Sequence, residues 1–496
     1  MARRKRIVLV APCKEGQVWR GRRSHFVWPP YNLACVAAET PPEIDVEIRD
    51  EAIEPLDFDD LARADLVGVT ALTANAVRAY EIVDAMRERG TPTIMGGIHA
   101  SFMPQEAVTH ADSVCIGEAE GVWPSICDDV AHGRRLRKYY KNPALPSLDT
   151  LKPPRRDLLR REAYGVPFTT MATRGCVYSC SFCSTTRFMG GKFRVRPVAD
   201  VIRDIETHAT GRYFVFLDDL LHANKKYIRE LLTALIPLKK KWVAQTTINT
   251  ADDPEILELT REAGGMGCLL GIESLSPENI QDVKKGIPNK VELTAERVQR
   301  FHAAGIFVQG SFIFGLDGDR EDVFDRTVQF ALDAKLGAAN FAVLTPLPGT
   351  EVYTRLHAEG RITSYDWSRY DKLNVVFQPK GLSPEALQQG VIDAYRRVYS
   401  WRGIATRLLP RLFSANGLIL AGYNLAYRRG VRKGWGVGGE RAGLAWRAPF
   451  EQGPEPFAPS TATPAPALSE IAAATTPPAW DPVPTTDPVP AELLEA

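Results

Sequence analysis

Two series of short apolar runs, separated by segments with helical periodicity, occupy the chain as far as residue 344. Apolar strands that alternate with helices are typical of parallel sheets covered by helices on both faces. The first series predicts strands at 6–11, 44–48, 66–72, 93–96 and 113–116. The second series predicts strands at 168–173, 213–217, 242–248, 268–272, 307–314 and 340–344. The expected fold is therefore α/β, with an N-terminal doubly wound parallel sheet followed by a partial (β/α)6 barrel and a helical C-terminal region.

Changes in composition divide most of the 496 residues into five predicted segments. Residues 136–165 are rich in Lys, Arg and Pro, which predicts a linker between a first domain (1–135) and the barrel (166–382). Helical periodicity over 383–436 predicts the C-terminal helical region. The Pro-, Ala- and Thr-rich residues 448–496 cannot bury a core, and we expect them to be disordered.

Charge and hydropathy argue against two classes of function. The formal net charge is +1, so the chain as a whole lacks the basic footprint of nucleic-acid-binding proteins. No stretch of about 18 consecutive apolar residues is present, so a membrane-spanning helix is not expected. The apolar run 7–10 near the start is too short for a signal peptide, and no cleavage pattern follows it. We therefore expect a cytoplasmic protein with no nucleic-acid partner.

Three of the eight cysteines, Cys176, Cys180 and Cys183, lie within eight residues directly after the first strand of the second series. In a reducing compartment, clustered thiols favour a metal centre over disulfides. Three thiolates on one short loop can bind three irons of a [4Fe–4S] cluster and leave the fourth iron open to a cofactor. A structural zinc site is the alternative. It would need a fourth Cys or His close by, and the nearest histidines, His208 and His222, form no ligand-like pair.

An aromatic residue stands directly before the last cysteine of this loop, and in this the loop resembles that of the radical S-adenosylmethionine (SAM) superfamily. Later parts of the barrel region resemble further motifs of that superfamily in order and in context. They are residues 216–219, 271–274, 310–315 and 344–350. The resemblance covers about residues 166 to 400, and it places the chemistry at the carboxyl ends of the barrel strands.

The resemblance implies several SAM-binding residues. Asp218 and Asp219 would contact the methionine amino group, Glu273 would contact the ribose, and Gly315 belongs to the glycine motif of the fifth strand. As alternatives, the two aspartates could end a solvated strand, and Glu273 could cap the helix that follows it.

Two aromatic residues of the cysteine loop, Tyr178 and Phe182, are assigned either to packing or to contact with the adenine. The resemblance also implies the reaction. The cluster would chelate SAM, and reductive cleavage would give a 5′-deoxyadenosyl radical that takes hydrogen from an unactivated carbon.

A parallel sheet ahead of such a barrel resembles the cobalamin-binding domain of one large branch of the superfamily. The residues that match its motifs are Thr70 and Leu72, Gly96 and Gly97, and Gly117 and Glu118. The glycines would allow the nucleotide tail of cobalamin to approach the backbone. Residues 11–16 contain no histidine, whereas cobalamin mutases carry a cobalt-binding histidine there. The sequence therefore implies either cobalamin with no histidine on cobalt or a domain that kept the fold without the cofactor.

Methyl transfer to an unactivated carbon is the function that we expect, because cobalamin-dependent members of this branch are often methyltransferases. A radical cyclase or an oxidative rearrangement enzyme is the alternative. A methylthiotransferase would place a second cluster on Cys13, Cys35 and Cys115, but the residues around Cys13 do not match that family. A non-enzymatic cobalamin or redox sensor is disfavoured by the SAM motifs.

The expected partners are a small-molecule or lipid-like substrate and an electron donor such as flavodoxin or ferredoxin. Residues 396–433 contain nine Arg or Lys residues and no Asp or Glu, with apolar residues between them. Such a segment predicts contact with an anionic membrane surface, at the periphery of the membrane. A helical cap on the barrel with exposed arginines is the alternative, which we favour.

Overall fold

The computed structural model describes residues 3–13, 28–142, 144–166, 168–286, 288–412 and 416–432. The predicted disordered tail, residues 448–496, lies outside the described residues. Within them, two separate parallel sheets and a helical C-terminal region confirm the expected α/β fold class.

Six parallel strands form the first sheet, in the order β2-β1-β3-β4-β5-β6. In chain order the strands are β1 (Lys5–Ala11), β2 (Ile44–Asp50), β3 (Leu66–Thr70), β4 (Thr93–Gly96), β5 (Ser113–Ile116) and β6 (Tyr139–Lys141). Strand β6 belongs to the stretch for which a linker was predicted. It has three residues and one buried side chain, Tyr140, so it is too short to show a period in the sequence.

Helices cover both faces of the first sheet because its strands are apolar on both sides. They are α1 (Tyr31–Ala38), α2 (Phe58–Leu61), α3 (Ala76–Glu88), α4 (Gly97–Phe102), α5 (Pro104–His110) and α6 (Trp123–Ala131). Val8 and Met95 pack with residues of α3 on one face, and Leu9 and Ile94 pack with α1 and α6 on the other. The strand order reverses between β1 and β3, which is where open sheets of this kind bind ligands.

The second sheet also has six parallel strands, in the order β14-β13-β12-β11-β10-β7. The strands of this part of the chain are β7 (Thr169–Thr170), β8 (Thr173–Arg174), β9 (Arg194–Val195), β10 (Tyr213–Phe216), β11 (Lys241–Thr246), β12 (Gly265–Glu273), β13 (Phe307–Phe314) and β14 (Ala338–Val343). The single strand predicted at 168–173 is divided, because β8 leaves the sheet and pairs antiparallel with β9. This β8–β9 hairpin leads directly into the cysteine loop.

Helices separate the strands of the second sheet, as the helical periodicity predicts. They are α7 (Ser184–Phe188), α8 (Val198–His208), α9 (Lys225–Leu235), α10 (Pro254–Glu262), α11 (Pro277–Asp282), α12 (Thr294–Ala303), α13 (Val323–Asp333) and α14 (Glu351–Ala358). Large apolar side chains fill the space between sheet and helices, with Trp242 and Phe214 in one cluster and Phe312 and Phe341 in another.

The C-terminal region consists of α15 (Pro384–Val398), α16 (Trp401–Leu408) and α17 (Gly417–Arg432). The buried Arg407 donates to the carbonyl oxygens of Leu336 and Gly337 and to Asn424 Oδ1, which ties α16 and α17 to the start of β14. This basic segment therefore serves in part as a cap on the barrel. Leu409 and Leu418 in the same segment are exposed. Contact of residues 396–433 with a membrane surface stays a prediction. Among the described helices, none has the length and apolar character needed to cross a bilayer.

A segment after α14 completes the core of the first domain. Trp367 packs edge-on against His99 at 5.3 Å between ring centroids, and its indole N–H donates to Glu106 Oε1 at 2.7 Å. The buried His99 shares a hydrogen bond of 2.9 Å with the Tyr80 hydroxyl. His99 therefore packs in the core of the first domain, and these contacts join that domain to the segment after α14.

Burial of His99 makes the stability of the protein depend on pH. Desolvation lowers the pKa of His99 to about 3, whereas a histidine in the unfolded chain titrates near 6.5. Below about pH 6.5 the unfolded state therefore binds a proton at His99 that the folded state rejects. This one residue contributes a fall of about 1.4 kcal/mol per pH unit to the free energy of unfolding as the pH decreases. Denaturant titrations between pH 6 and pH 5 measure this slope. His99→Gln should remove this contribution of about 1.4 kcal/mol per pH unit from the measured slope, and His132→Gln, at an exposed position, should leave the slope unchanged.

Candidate cofactor site

The cysteine loop begins directly after β8. Its three thiols are partly exposed, whereas the other five cysteines of the chain are buried. Gly175, which precedes the first of them, has φ +88°, and a Cβ there would lie 2.1 Å from the carbonyl oxygen of Lys192. The loop therefore requires glycine at this point to turn away from the hairpin.

Backbone hydrogen bonds hold the cysteine loop from both sides. Ser181 N–H donates to the Val283 carbonyl oxygen at 3.1 Å, and Val352 N–H donates to the Ser181 carbonyl oxygen at 3.1 Å. The loop is therefore held between the residues after α11 and the start of α14. This places the three cysteines at the carboxyl ends of the barrel strands, as the sequence predicts.

The thiols of the cysteine loop lie in a partly buried environment. Burial raises the pKa of the Cys176 and Cys180 thiols to about 11 and about 12, and the charges of the three thiols act on one another. Across the described ranges, no three His, Cys, Asp or Glu side chains converge closely enough to share one metal ion.

Asp218 and Asp219 follow β10 and face the start of the cysteine loop. Asp218 accepts hydrogen bonds from the backbone N–H groups of Ala172 and Thr173 and from the Thr173 hydroxyl at 2.7 Å. Burial raises the pKa of Asp218 to about 7 and that of Asp219 to about 6, and Asp219 is bonded to the N–H of Gly175. Both carboxyl groups thus brace the backbone that leads to the cysteines, and Asp219 lies closer to the loop.

Glu273 ends β12 and is paired with Lys285, a residue that the sequence analysis did not single out. Glu273 has φ +63°, a strained value for a residue with a side chain, and the register of β12 against β13 shifts here. Its Oε1 accepts from the Lys285 ammonium, and both side chains are buried. A Cβ on Gly271 would collide with both side chains, so this glycine makes room for the pair.

Lys285 also brings positive charge to the cysteine loop. Burial alone would lower the pKa of Lys285, but the carboxylate of Glu273 and the thiols of Cys180 and Cys183 raise it above its usual value. In the sequence, Lys285 stands in a Lys-Lys-Gly run after a short helix and resembles an ordinary helix end. Only the tertiary contact with Glu273 distinguishes it from its exposed neighbour Lys284.

Gly315 ends β13 with φ +92°. The buried Asp319 fixes this turn, because its Oδ2 accepts from the N–H groups of Gly315 at 2.8 Å and Leu316 at 3.1 Å. Asn279 donates to the other oxygen of Asp319 at 2.7 Å, which connects the turn to α11. Burial raises the pKa of Asp319 to about 6. Asp319 and Asn279 were not predicted from the sequence.

The two aromatic residues of the cysteine loop differ in their surroundings. Phe182 packs against the main apolar cluster of the barrel. The Tyr178 hydroxyl lies 3.5 Å from Asn249 Nδ2, after the end of β11. Packing therefore accounts for Phe182, and Tyr178 faces polar residues of the barrel mouth.

The residues predicted to bind cobalamin gather at the carboxyl ends of β3, β4 and β5. Gly97 has φ +87°, and a Cβ there would lie 2.7 Å from Thr70 Oγ1, so these two motifs are in direct contact. Leu72 is 63% exposed beside them, and Gly117 has φ +81° with open space around it. Glu118 differs from the others, because its carboxylate points into an ion cluster with the barrel.

The end of β1 carries no histidine, as noted from the sequence. The buried Cys13 follows it, and its N–H donates to Glu51 Oε2 at 2.9 Å. Residues 14–27 lie outside the described residues.

Comparison with known proteins decides the family. Residues 170–331 match the model of the Radical SAM superfamily, and residues 20–126 match that of the B12 binding domain. The chain is 32% identical over 417 residues to bacteriochlorophyllide d C-12(1)-methyltransferase of Chlorobaculum tepidum, an alignment that covers 82% of this chain and 90% of the relative. The chain belongs to the radical SAM superfamily. Its first domain places it in the branch with a cobalamin-binding domain.

A further relative and a solved structure are also similar to this chain. The anaerobic magnesium-protoporphyrin IX monomethyl ester cyclase of Cereibacter sphaeroides is 27% identical over 466 residues, which covers 82% of this chain and 74% of the cyclase. The methyltransferase TsrM from Kitasatospora setae, solved with cobalamin and a [4Fe–4S] cluster, matches with a TM-score of 0.65 at 16% identity. That match covers 86% of this chain and 99% of TsrM. The likeness to TsrM confirms the fold of the two sheets.

A radical SAM enzyme with a B12-binding domain uses a [4Fe–4S] cluster, SAM and cobalamin, and these are the cofactors of this chain. The assignment of individual residues to each cofactor stays a prediction.

Proposed function

We propose that the protein transfers a methyl group to an unactivated carbon of a small organic substrate. The observation that carries this proposal is the 32% identity to a C-methyltransferase, which extends over both domains and 90% of that relative. The structure supports it through a site at the carboxyl ends of each of the two parallel sheets. The barrel would hold the cluster and SAM, and the first domain would hold cobalamin.

The residues of the barrel would divide the work of holding cluster and SAM. Cys176, Cys180 and Cys183 would bind three irons of the cluster. When bound, the cluster, SAM and cobalamin together supply one-electron chemistry and a methyl group. The buried ammonium of Lys285 would bind the carboxylate of SAM, and Glu273 would orient that ammonium and contact the ribose.

The remaining predicted residues would shape the site. Asp219 would accept from the amino group of SAM, while Asp218 would keep β8 in place through its hydrogen bonds to Thr173. The Gly315 turn, fixed by Asp319, would present backbone groups to the nucleoside.

The first domain would hold cobalamin at the carboxyl ends of β3, β4 and β5. Gly117, which has open space around it, would leave room for the nucleotide tail, and Thr70 would offer a hydroxyl to it. Gly96 and Gly97 would contribute by letting their backbone lie close to Cys115, Thr70 and Ala71. The exposed Leu72 would contact the corrin ring through its apolar side chain. No histidine at the end of β1 would bind cobalt.

The proposed partners are a small or lipid-like substrate and a one-electron donor such as flavodoxin or ferredoxin. Relatives act on small molecules, as the names of the bacteriochlorophyllide methyltransferase and the protoporphyrin cyclase state.

Labelled SAM provides the test of methyl transfer. The anaerobically reconstituted protein would be incubated with dithionite, SAM bearing a trideuterated methyl group, and bacteriochlorophyllide d as the probe substrate. We expect 5′-deoxyadenosine together with a probe product in which one trideuteromethyl group replaces a hydrogen atom, both read by mass spectrometry. Formation of neither product by a sample with full iron and cobalamin content would contradict the enzyme assignment.

Ring closure is the second candidate, and the 27% identity to the protoporphyrin cyclase favours it. The same assay with magnesium protoporphyrin monomethyl ester would then give an oxidised product without the label. For methylthiotransfer, Cys13, Cys35 and Cys115 would have to ligate a cluster, yet all three are buried within the first domain.

A further inference from the structure

Four charged side chains form a buried ion cluster between the first domain and the barrel. Glu118 and Glu120 come from the loop after β5, and Arg174 and Arg194 come from the β8–β9 hairpin. Arg174 donates to Glu118 Oε2 and to Glu120 Oε1, each at 2.5 Å. Arg194 donates to both oxygens of Glu118. Both carboxylates of this ion cluster thus accept hydrogen bonds from arginines of the other domain, and Glu118 accepts from two of them.

The ion cluster is shielded from water. The side chains of its four members are between 3% and 14% exposed. Two positive and two negative charges balance one another, and buried charges persist only when they are paired in this way. Since both oxygens of Glu118 accept from arginines, its carboxylate acts between domains and not towards open space.

Backbone features tie the ion cluster to both cofactor sites. Arg174 is two residues before Cys176, and beside the Lys192 carbonyl oxygen there is no space for a side chain on Gly175 between them. On the other side, Gly117 begins the loop that carries Glu118 and Glu120. The residues after β6 contact two members of the ion cluster. Asn142 donates to the Glu118 carbonyl oxygen, and Arg194 donates to the Pro146 carbonyl oxygen at 2.7 Å.

We propose that Glu118 and Glu120 are positioning residues that fix the cysteine loop relative to the first domain, and thereby fix the separation of the iron–sulfur cluster and cobalamin. The inference rests on the proposed function only in requiring that both cofactors are bound. Two rigid carboxylate–guanidinium contacts end on the residue that leads into the loop, so a shift of the first domain is transmitted to Cys176. Reactions between two cofactors are sensitive to displacements of about 1 Å.

Hydrogen exchange of the reconstituted protein tests the mechanical part of the proposal. In Glu118→Gln and Glu120→Gln we expect backbone exchange to rise about tenfold in two segments, residues 113–122 and 170–196, with the barrel helices unchanged. Glu255→Gln is the matched control, because Glu255 pairs with Arg229 in an exposed contact on the barrel surface. Exchange at the wild-type rate in both segments of both variants would overturn the proposal.

Electron paramagnetic resonance tests the separation of the cofactors without any substrate. The magnetic interaction between the reduced cluster and cob(II)alamin should change in Glu118→Gln, at unchanged iron and cobalamin content. An unchanged interaction would overturn the proposal, and a loss of cobalamin alone would instead make Glu118 a cobalamin contact. Arg194→Lys keeps the positive charge but loses the planar guanidinium group that binds both oxygens of Glu118. This variant should raise backbone hydrogen exchange in the same two segments about threefold, and it provides the test if the glutamine variants do not fold. These measurements hold whether the enzyme transfers methyl groups or closes rings.

Discussion

Cys180→Ala is expected to abolish formation of 5′-deoxyadenosine and to leave the protein folded. Three thiolates from one loop are needed to hold a cluster with an open iron, and two cannot hold it in the same position. The loop itself is held by the backbone hydrogen bonds of Ser181 and Val352, which do not involve the thiol. Iron content should fall with the visible absorbance of the cluster, and 5′-deoxyadenosine should fall to the background of the assay.

Cys35→Ala is the matched control for this variant. Cys35 is a buried cysteine on α1 of the first domain and lies outside the loop. Its replacement should leave iron content and 5′-deoxyadenosine formation at the wild-type level. A Cys180→Ala protein that still binds a full cluster and cleaves SAM would refute the loop as the site of the cluster.

Lys285→Met is expected to reduce both stability and SAM binding. The substitution leaves the carboxylate of Glu273 buried without its cation, and breaking a buried pair in this way costs about 3–5 kcal/mol. It also removes the ammonium proposed to bind the SAM carboxylate, so KM for SAM should rise at least about tenfold, the loss of one charged hydrogen bond. Denaturant unfolding and steady-state 5′-deoxyadenosine formation measure the two effects.

Two further variants separate the effects on stability and binding. The double variant Glu273→Gln with Lys285→Met removes the unpaired charge, so stability should recover in part while KM for SAM stays high. Lys284→Met is the matched control, because Lys284 is the adjacent residue, is 54% exposed and pairs with Glu351 at the surface. It should change stability by no more than about 0.5 kcal/mol. An unchanged KM for SAM in Lys285→Met would contradict the proposed role.

Periodicity predicted the fold well because buried strands are long enough to show it. Strand β13 has eight residues and was predicted at its observed ends, whereas β6 has three residues and was not predicted. The division of the strand at 168–173 depends on the pairing of β8 with β9, which is a contact about 20 residues along the chain and leaves no local pattern.

The candidate site was predicted in part. The cysteines, Asp219 and Glu273 stand in motifs that can be read along the chain. Lys285 could not be identified, because its importance depends on a buried partner twelve residues earlier. Arg174 is a similar case: its partners Glu118 and Glu120 lie more than 50 residues away, and an arginine beside a glycine has no distinctive local signal.

The contact of Trp367 with Glu106 joins residues 261 positions apart, and it has a consequence for biosynthesis. At about 5–20 residues per second, the ribosome needs roughly 10–50 s to synthesise the chain between these two residues. During this interval the first sheet has emerged, but Trp367, Tyr370 and Val376, which complete one face of its core, have not. The nascent first domain therefore exposes an apolar face while the barrel is being translated, which makes it a target for chaperones and a site of early aggregation when translation stalls.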